Sequence, residues 1–108
     1  MQPYLLIASR DPYTSTAARR CYELASALAG EGHPVTLFLL QNGVLPARPS
    51  AGSARLEALA RLGVRVLADD FSLRERGIGE RRLAPGVSAA PLEVVVEALE
   101  AGTRVLWH

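Results

Sequence analysis

The chain has 108 residues, 49% of them hydrophobic, and a formal net charge of +1, which suits one domain over residues 1–108 with a real core and gives no global field for nucleic acid or membrane. All 12 basic residues are arginine, so lysine Schiff-base chemistry and the lysine-bearing phosphate loop are excluded. The single cysteine, Cys21, excludes an intrachain disulfide and a Cys-rich metal site, and no apolar run approaches the ~20 residues that span a bilayer.

The opening Met1-Gln2-Pro3-Tyr4 lacks the basic stretch and cleavage pattern of a signal peptide, so the expected compartment is the cytoplasm. Tyr4 to Ala8 is a short, nearly continuous apolar run, as a strand buried on both faces requires. Ser9 to Tyr13 follows as a loop, with Pro12 disfavouring helix at Asp11. Thr14, Ser15 or Thr16 can then cap a helix whose Ala17, Ala18, Cys21, Leu24, Ala25 and Leu28 recur at helical spacing. Gly30 to Gly32 ends it.

Pro34 to Leu40 reads as a second buried strand, which completes a right-handed crossover unit and seeds a parallel sheet. Gln41-Asn42-Gly43 is a turn signal, and the Pro, Gly and Ser content of Leu45 to Ser53 predicts a flexible loop. A second helix opens at Ser53 or Ala54 with Leu56, Leu59, Ala60 and Leu62 inward and ends at Gly63. Val64 to Ala68 is a third strand, and Asp69 to Ser72 leads into a short helix ending near Arg76-Gly77. A charged, irregular stretch from Ile78 to Gly86 precedes a short extra strand near Val87. Pro91 suits a helix first turn, with Leu92, Val95, Val96 and Leu99 expected inward and Glu93, Glu97 and Glu100 outward. Thr103 to Trp107 is the last strand. The alternation predicts a three-layer α/β/α sandwich, flavodoxin-like in architecture, on a mostly parallel sheet of about five strands.

In such folds ligands bind outside the carboxyl ends of the strands. The loops expected there carry Asp11, Tyr13 and Thr14 after the first strand, Gln41 and Asn42 after the second, and Asp69, Asp70 and Ser72 after the third. The first loop enters a helix N-terminus, which either caps that helix or receives an anion. Adjacent carboxylates at Asp69-Asp70 are suited to a divalent cation or an acid and base pair. Successive strand residues face opposite sides, however, and one aspartate capping the next helix is the favoured reading. Cys21 falls on the buried helix face, where cysteine behaves as a small apolar group. His33 lies at the far end of the sheet, and His108 is terminal and expected to be mobile. Arg74, Arg76, Arg81 and Arg82, interleaved with Glu75 and Glu80, read as a solvated charged loop rather than an RNA contact.

Three segments together resemble the DsrE/DsrF-like family of sulfur-relay proteins. They are Asp11 to Ala17 before a helix, Gly32 to Leu39 with Asn42-Gly43-Val44, and Leu56 to Ala68 with Ser72 to Ile78. The resemblance implies an α/β sandwich that assembles into homo- or hetero-oligomers, commonly trimers or hexamers. It also implies, in active members, a persulfide-bearing cysteine at the end of the third strand, seven residues before an Arg-Gly pair. Here that position is Asp69, which cannot form a persulfide.

The reading that follows is a divergent family member acting as a binding or assembly subunit, with related subunits or sulfur-relay proteins as partners. Asp11, Tyr13, Thr14, Asn42, Asp69 and Ser72 are expected to line its pocket; no catalytic residue, metal or cofactor is assigned. The alternative is a small enzyme or metal-binding protein that uses Asp69 or Asp70 and brings Asp11 to them. A third possibility is a structural partner anchored by Phe71 and Trp107, although core packing is the expectation for each.

Overall fold

The computed structural model describes residues 2–108. Strands β1 (Tyr4–Ala8), β2 (Val35–Leu39), β3 (Arg65–Asp69), β4 (Val87–Ala90) and β5 (Arg104–Trp107) form one sheet in the order β4-β3-β2-β1-β5. Every neighbouring pair is parallel. The order explains the layering. The chain moves steadily outward from β1 to β4, then returns across the sheet to pair β5 with the other side of β1. Right-handed crossovers therefore put the first three connections on one face and the fourth on the other.

Helices α1 (Thr16–Gly30), α2 (Ala54–Arg61) and α3 (Asp70–Glu75) cover the first face, and α4 (Glu93–Glu100) covers the second. Alternation along the strands divides the core accordingly. Leu6, Ala8, Leu37, Leu39, Val66 and Ala68 pack beneath α1 to α3, whereas Leu5, Ile7, Phe38 and Leu67 pack toward α4. The expected three-layer sandwich is thus present, and the short strand near Val87 forms the β3 edge partner.

Four expectations are corrected. First, α4 buries Val94, Val95 and Ala98 against the sheet. Leu92, Val96 and Leu99 face outward, each at least half exposed. The sequence Leu92-Glu-Val-Val-Val-Glu-Ala-Leu99 offers two apolar stripes, and the helix seats the one with the smaller side chains. Leu62, expected inward, is also exposed. Second, Phe71 and Trp107 are not core residues, at 59% and 64% exposure. Third, the predicted flexible loop is built instead from two 3-10 turns, Gln41–Ala47 and Ala51–Ser53. Val44, Pro46, Ala47 and Ser53 are buried in it, and Ala84 N–H donates to the Ala47 carbonyl at 2.8 Å. Fourth, His108 is pinned rather than free: its N–H donates to Ile7 at 2.7 Å, and its carbonyl accepts from Ser9 N–H at 3.1 Å.

Two glycines are set by these contacts. Gly43 lies so close to the β1 end that a Cβ would run into the Ala8 carbonyl, a backbone obstacle. At Gly52 the obstacle would be the tip of the Tyr13 side chain.

Candidate functional site

The carboxyl ends of β2 and β3 are joined through side chains. Asp69 closes β3 and serves as the N-cap of α3. Its Oδ2 accepts from Ser72 N–H at 3.0 Å and from the Ser72 hydroxyl at 2.7 Å. Ser72 Oγ in turn accepts the Gln41 N–H at 2.9 Å. Gln41 is the one non-glycine described with a left-handed backbone, φ 53°, and that turn follows β2 and joins it to Ser72. The strain, about 1 kcal/mol, accompanies a hydrogen bond that links two strand ends. Arg76 adds a second tie. Its Nε and Nη2 donate to Asn42 Oδ1 at 3.1 and 3.0 Å, and Nη1 donates to the Ser72 carbonyl at 3.2 Å.

Beside this network lies a cavity of about 470 Å³, lined in part by Leu40, Gln41, Asp69, Asp70, Phe71 and Leu92. Asp69 is buried at its base, with 4% exposure. Asp70, next in sequence, is partly exposed and stands 4.0 Å from Arg74 one helical turn on, while Glu75 and Glu93 add further carboxylates at the wall. The cavity is therefore acidic in its charged groups and mostly apolar in its surface. It suits a cationic or apolar group better than a small anion. Among the described residues, no group of three or more His, Cys, Asp or Glu side chains is arranged to hold a metal ion.

The residues expected to share one pocket divide between two places. Asp69 and Ser72 line the acidic cavity, and Asn42 joins them through Arg76. Tyr13 instead lines a separate cavity of about 310 Å³ formed with α1 and α2. Asp11 orders that loop: its Oδ1 accepts from Tyr13 N–H at 3.0 Å, and its carbonyl accepts from Thr14 N–H at 3.2 Å. The α1 cap is Ser15, whose side chain accepts from Ala18 N–H at 3.3 Å. Gln41 entered the sequence reading only as a turn residue and Arg76 only as a loop cation. Nothing in residue type signals a backbone amide delivered to a serine 31 positions away.

Cys21 is fully buried on α1, and desolvation pushes its thiol from 9.0 up to about 12. It stays protonated at neutral pH and out of reach of solvent, the opposite of a reactive thiolate. No helix among the described residues is long and apolar enough to cross a membrane.

Comparison with known proteins agrees with the fold. The sequence model of the DsrE/DsrF-like family matches residues 2–108. A curated relative from Pseudomonas aeruginosa, described as a TusC homolog, is 29% identical over 115 aligned positions and 97% of each chain is covered. The crystal structure of the ychN protein from E. coli superposes with a TM-score of 0.91 at 25% identity, over 100% of both chains. The protein of unknown function MTH1491 from Methanobacterium thermoautotrophicum gives a TM-score of 0.80 at 20% identity, also over 100% of both, and speaks for the fold alone.

Proposed function

Because the chain belongs to the DsrE/DsrF-like family and is a sulfur-relay-related protein, we propose that it works as a binding and assembly subunit that carries no persulfide itself. One observation carries this reading. The position that the resemblance gives to the sulfur-bearing cysteine holds Asp69, whose carboxylate is spent on capping α3. A carboxylate has no sulfur atom with which to form the S–S bond of a persulfide. The remaining cysteine, Cys21, is buried beneath α1 with its thiol protonated, so it offers no substitute.

The assembly part of the reading rests on the α4 face. Phe71 and Leu92 flank the acidic cavity as exposed side chains. Val96 and Leu99 extend the Leu92 stripe along α4, at intervals of four and three residues. Trp107, the register partner of Ile7, stands on that same face of the sheet at its β5 edge. Four large apolar side chains left in water on that face, Leu92, Val96, Leu99 and Trp107, are a feature of surfaces that meet another subunit, with Phe71 of α3 exposed across the acidic cavity from Leu92. The partner is a related family subunit or a second copy of this chain, in a trimer or hexamer. A single domain over residues 1–108 and a cytoplasmic location belong to the same proposal.

The acidic lining adds a chemical criterion: Asp69, Asp70, Glu75 and Glu93 disfavour an anionic sulfur cargo in this cavity and favour a cationic or apolar group from the partner. The test is exposure of the folded protein to inorganic polysulfide, followed by intact mass measurement. The chain is expected to keep its unmodified mass. An added sulfur atom on Cys21 in the folded protein would overturn the reading.

A further inference from the structure

We propose that the groove where the N-termini of α1 and α2 converge is a binding site for a small organic oxyanion, a carboxylate or phosphate head joined to a flat apolar body. This goes beyond the assembly reading and does not depend on it, since the groove lies on the opposite face of the sheet from α4. The cavity, about 310 Å³, is lined by Pro12, Tyr13, Arg19, Ala51, Gly52 and Arg55. Its volume is in the range of small-molecule sites.

Charge argues for the head group. Arg19 and Arg55 are the charged residues of the lining, and neither joins the ion pairs found among the described residues. Arg19 is held in place from behind: Nη1 donates to the Pro12 carbonyl at 2.8 Å and Nη2 reaches Thr16 Oγ1 at 3.4 Å. Its Nε–H and the second hydrogen of each terminal nitrogen stay available to a ligand. A guanidinium fixed in this manner gives a forked contact to an oxyanion with little further ordering. Arg19 lies in the first turn of the 15-residue α1 and Arg55 in the first turn of the eight-residue α2. Both helix dipoles therefore present their positive ends here. The Asp11 carboxylate lies outside the groove lining and is turned to the Tyr13 N–H, from which it accepts at 3.0 Å.

The apolar body is argued from Tyr13 and Tyr22. Tyr13 is 66% exposed, and its ring rests over Gly52, the residue at which a Cβ would displace the phenol. A flat wall is thus kept open beside two cations. The adjoining cavity, about 290 Å³, shares Arg55 and is lined by Tyr22, Ser26, Ala58, Leu59 and Leu62, with Glu23 at its wall. The Tyr22 hydroxyl is buried with no hydrogen-bond partner. An apolar ligand body would rest against Tyr22 and Leu59 in this adjoining cavity, and the Glu23 carboxylate at its wall disfavours an anionic head there.

The experiment titrates the protein with phenyl phosphate, benzoate, inorganic phosphate and phenol, read by calorimetry and by amide shifts in NMR. Saturable binding of phenyl phosphate or benzoate is expected, with the shifts centred on Tyr13, Gly52 and Arg55. Which of the two binds more tightly assigns the head group. Arg55→Ala, in a residue with no ion pair to lose, should weaken binding about tenfold or more while leaving the melting temperature unchanged. Tyr13→Ala should weaken phenyl phosphate and leave inorganic phosphate as before. Three results would each overturn the site: no saturable binding of either organic anion up to about 10 mM, phenol binding as tightly as phenyl phosphate, or full affinity in a folded Arg19→Ala/Arg55→Ala double variant.

Discussion

Replacing Asp69 by alanine removes the acceptor for two hydrogen bonds at once, and the structure fixes what each loss costs. The Ser72 N–H is left in the buried first turn of α3 without its cap, worth about 1 kcal/mol. The Ser72 hydroxyl loses a charged acceptor at 2.7 Å, a bond of about 1.5–3 kcal/mol net. Part of this returns, because Ser72 Oγ still accepts the Gln41 N–H and its own hydrogen can turn. Relief of the cost of burying the carboxylate offsets some more. A net loss of about 2–3 kcal/mol remains, which for a domain of this size lowers the melting temperature by roughly 10–20 °C. Asp69→Asn keeps a carbonyl acceptor and should lose only about 1 kcal/mol. Chemical denaturation of the three proteins checks both values. If Asp69→Ala is neutral or stabilising, the carboxylate is a strained functional group and not a cap, and the reasoning fails.

Other outcomes follow from the same structure. Stability should fall above pH 9: the Cys21 thiol ionises near 9.0 when unfolded but stays protonated to about 12 when folded, so its contribution is complete below 9 and is lost as pH rises through the folded value. The loss should be on the order of 1–2 kcal/mol at about pH 10.5. Burial raises the Tyr22 phenol in the same direction, with Cys21 and Asp11 adding to the shift and Arg55 opposing it. Denaturant midpoints from pH 8 to 10.5 should therefore drop less in Cys21→Ala and Tyr22→Phe than in the parent. Gly43→Ala should destabilise by about 2 kcal/mol or more because its Cβ meets the Ala8 carbonyl. Gly52→Ala should cost under about 1 kcal/mol, since only the Tyr13 tip must move; equal melting temperatures for the two would contradict the packing described. Val96→Glu and Leu99→Glu should leave the isolated chain within about 0.5 kcal/mol of the parent but lower the assembled mass in light scattering.

Strand and helix alternation was legible in the sequence because each strand is a short apolar run between glycine or proline signals. Tyr4–Ala8, Val35–Leu39 and Arg65–Asp69 are where the hydropathy put them, within a residue. The weaker assignments trace to particular chemistry. The segment after Leu92 is apolar at most positions, so periodicity could not choose between the Val94-Ala98 stripe and the Leu92-Val96-Leu99 stripe; the sheet made that choice. Residues 45–53 have turn composition, yet Pro46 and Ala47 bury fully and fold the segment onto the core. At the site, a cap by one of the two adjacent aspartates was readable from carboxylates ending a strand before a short helix, and the structure assigns it to Asp69. The remainder of the network was not, because it pairs Gln41 with Ser72 and Asn42 with Arg76 across 31 and 34 positions. Tertiary pairs of that span leave no local trace. The α1–α2 groove is hidden for the same reason: Arg19 and Arg55 sit 36 positions apart and meet only when both helices dock.

The central claim, an assembly subunit without its own sulfur carriage, is tested most directly by co-producing the chain with a cysteine-bearing family subunit. Native mass spectrometry would follow polysulfide loading. The account predicts one assembly containing both chains, broken by Leu99→Glu, with the added sulfur on the partner alone. A free monomer beside its intended partner, or sulfur found on this chain, would contradict it.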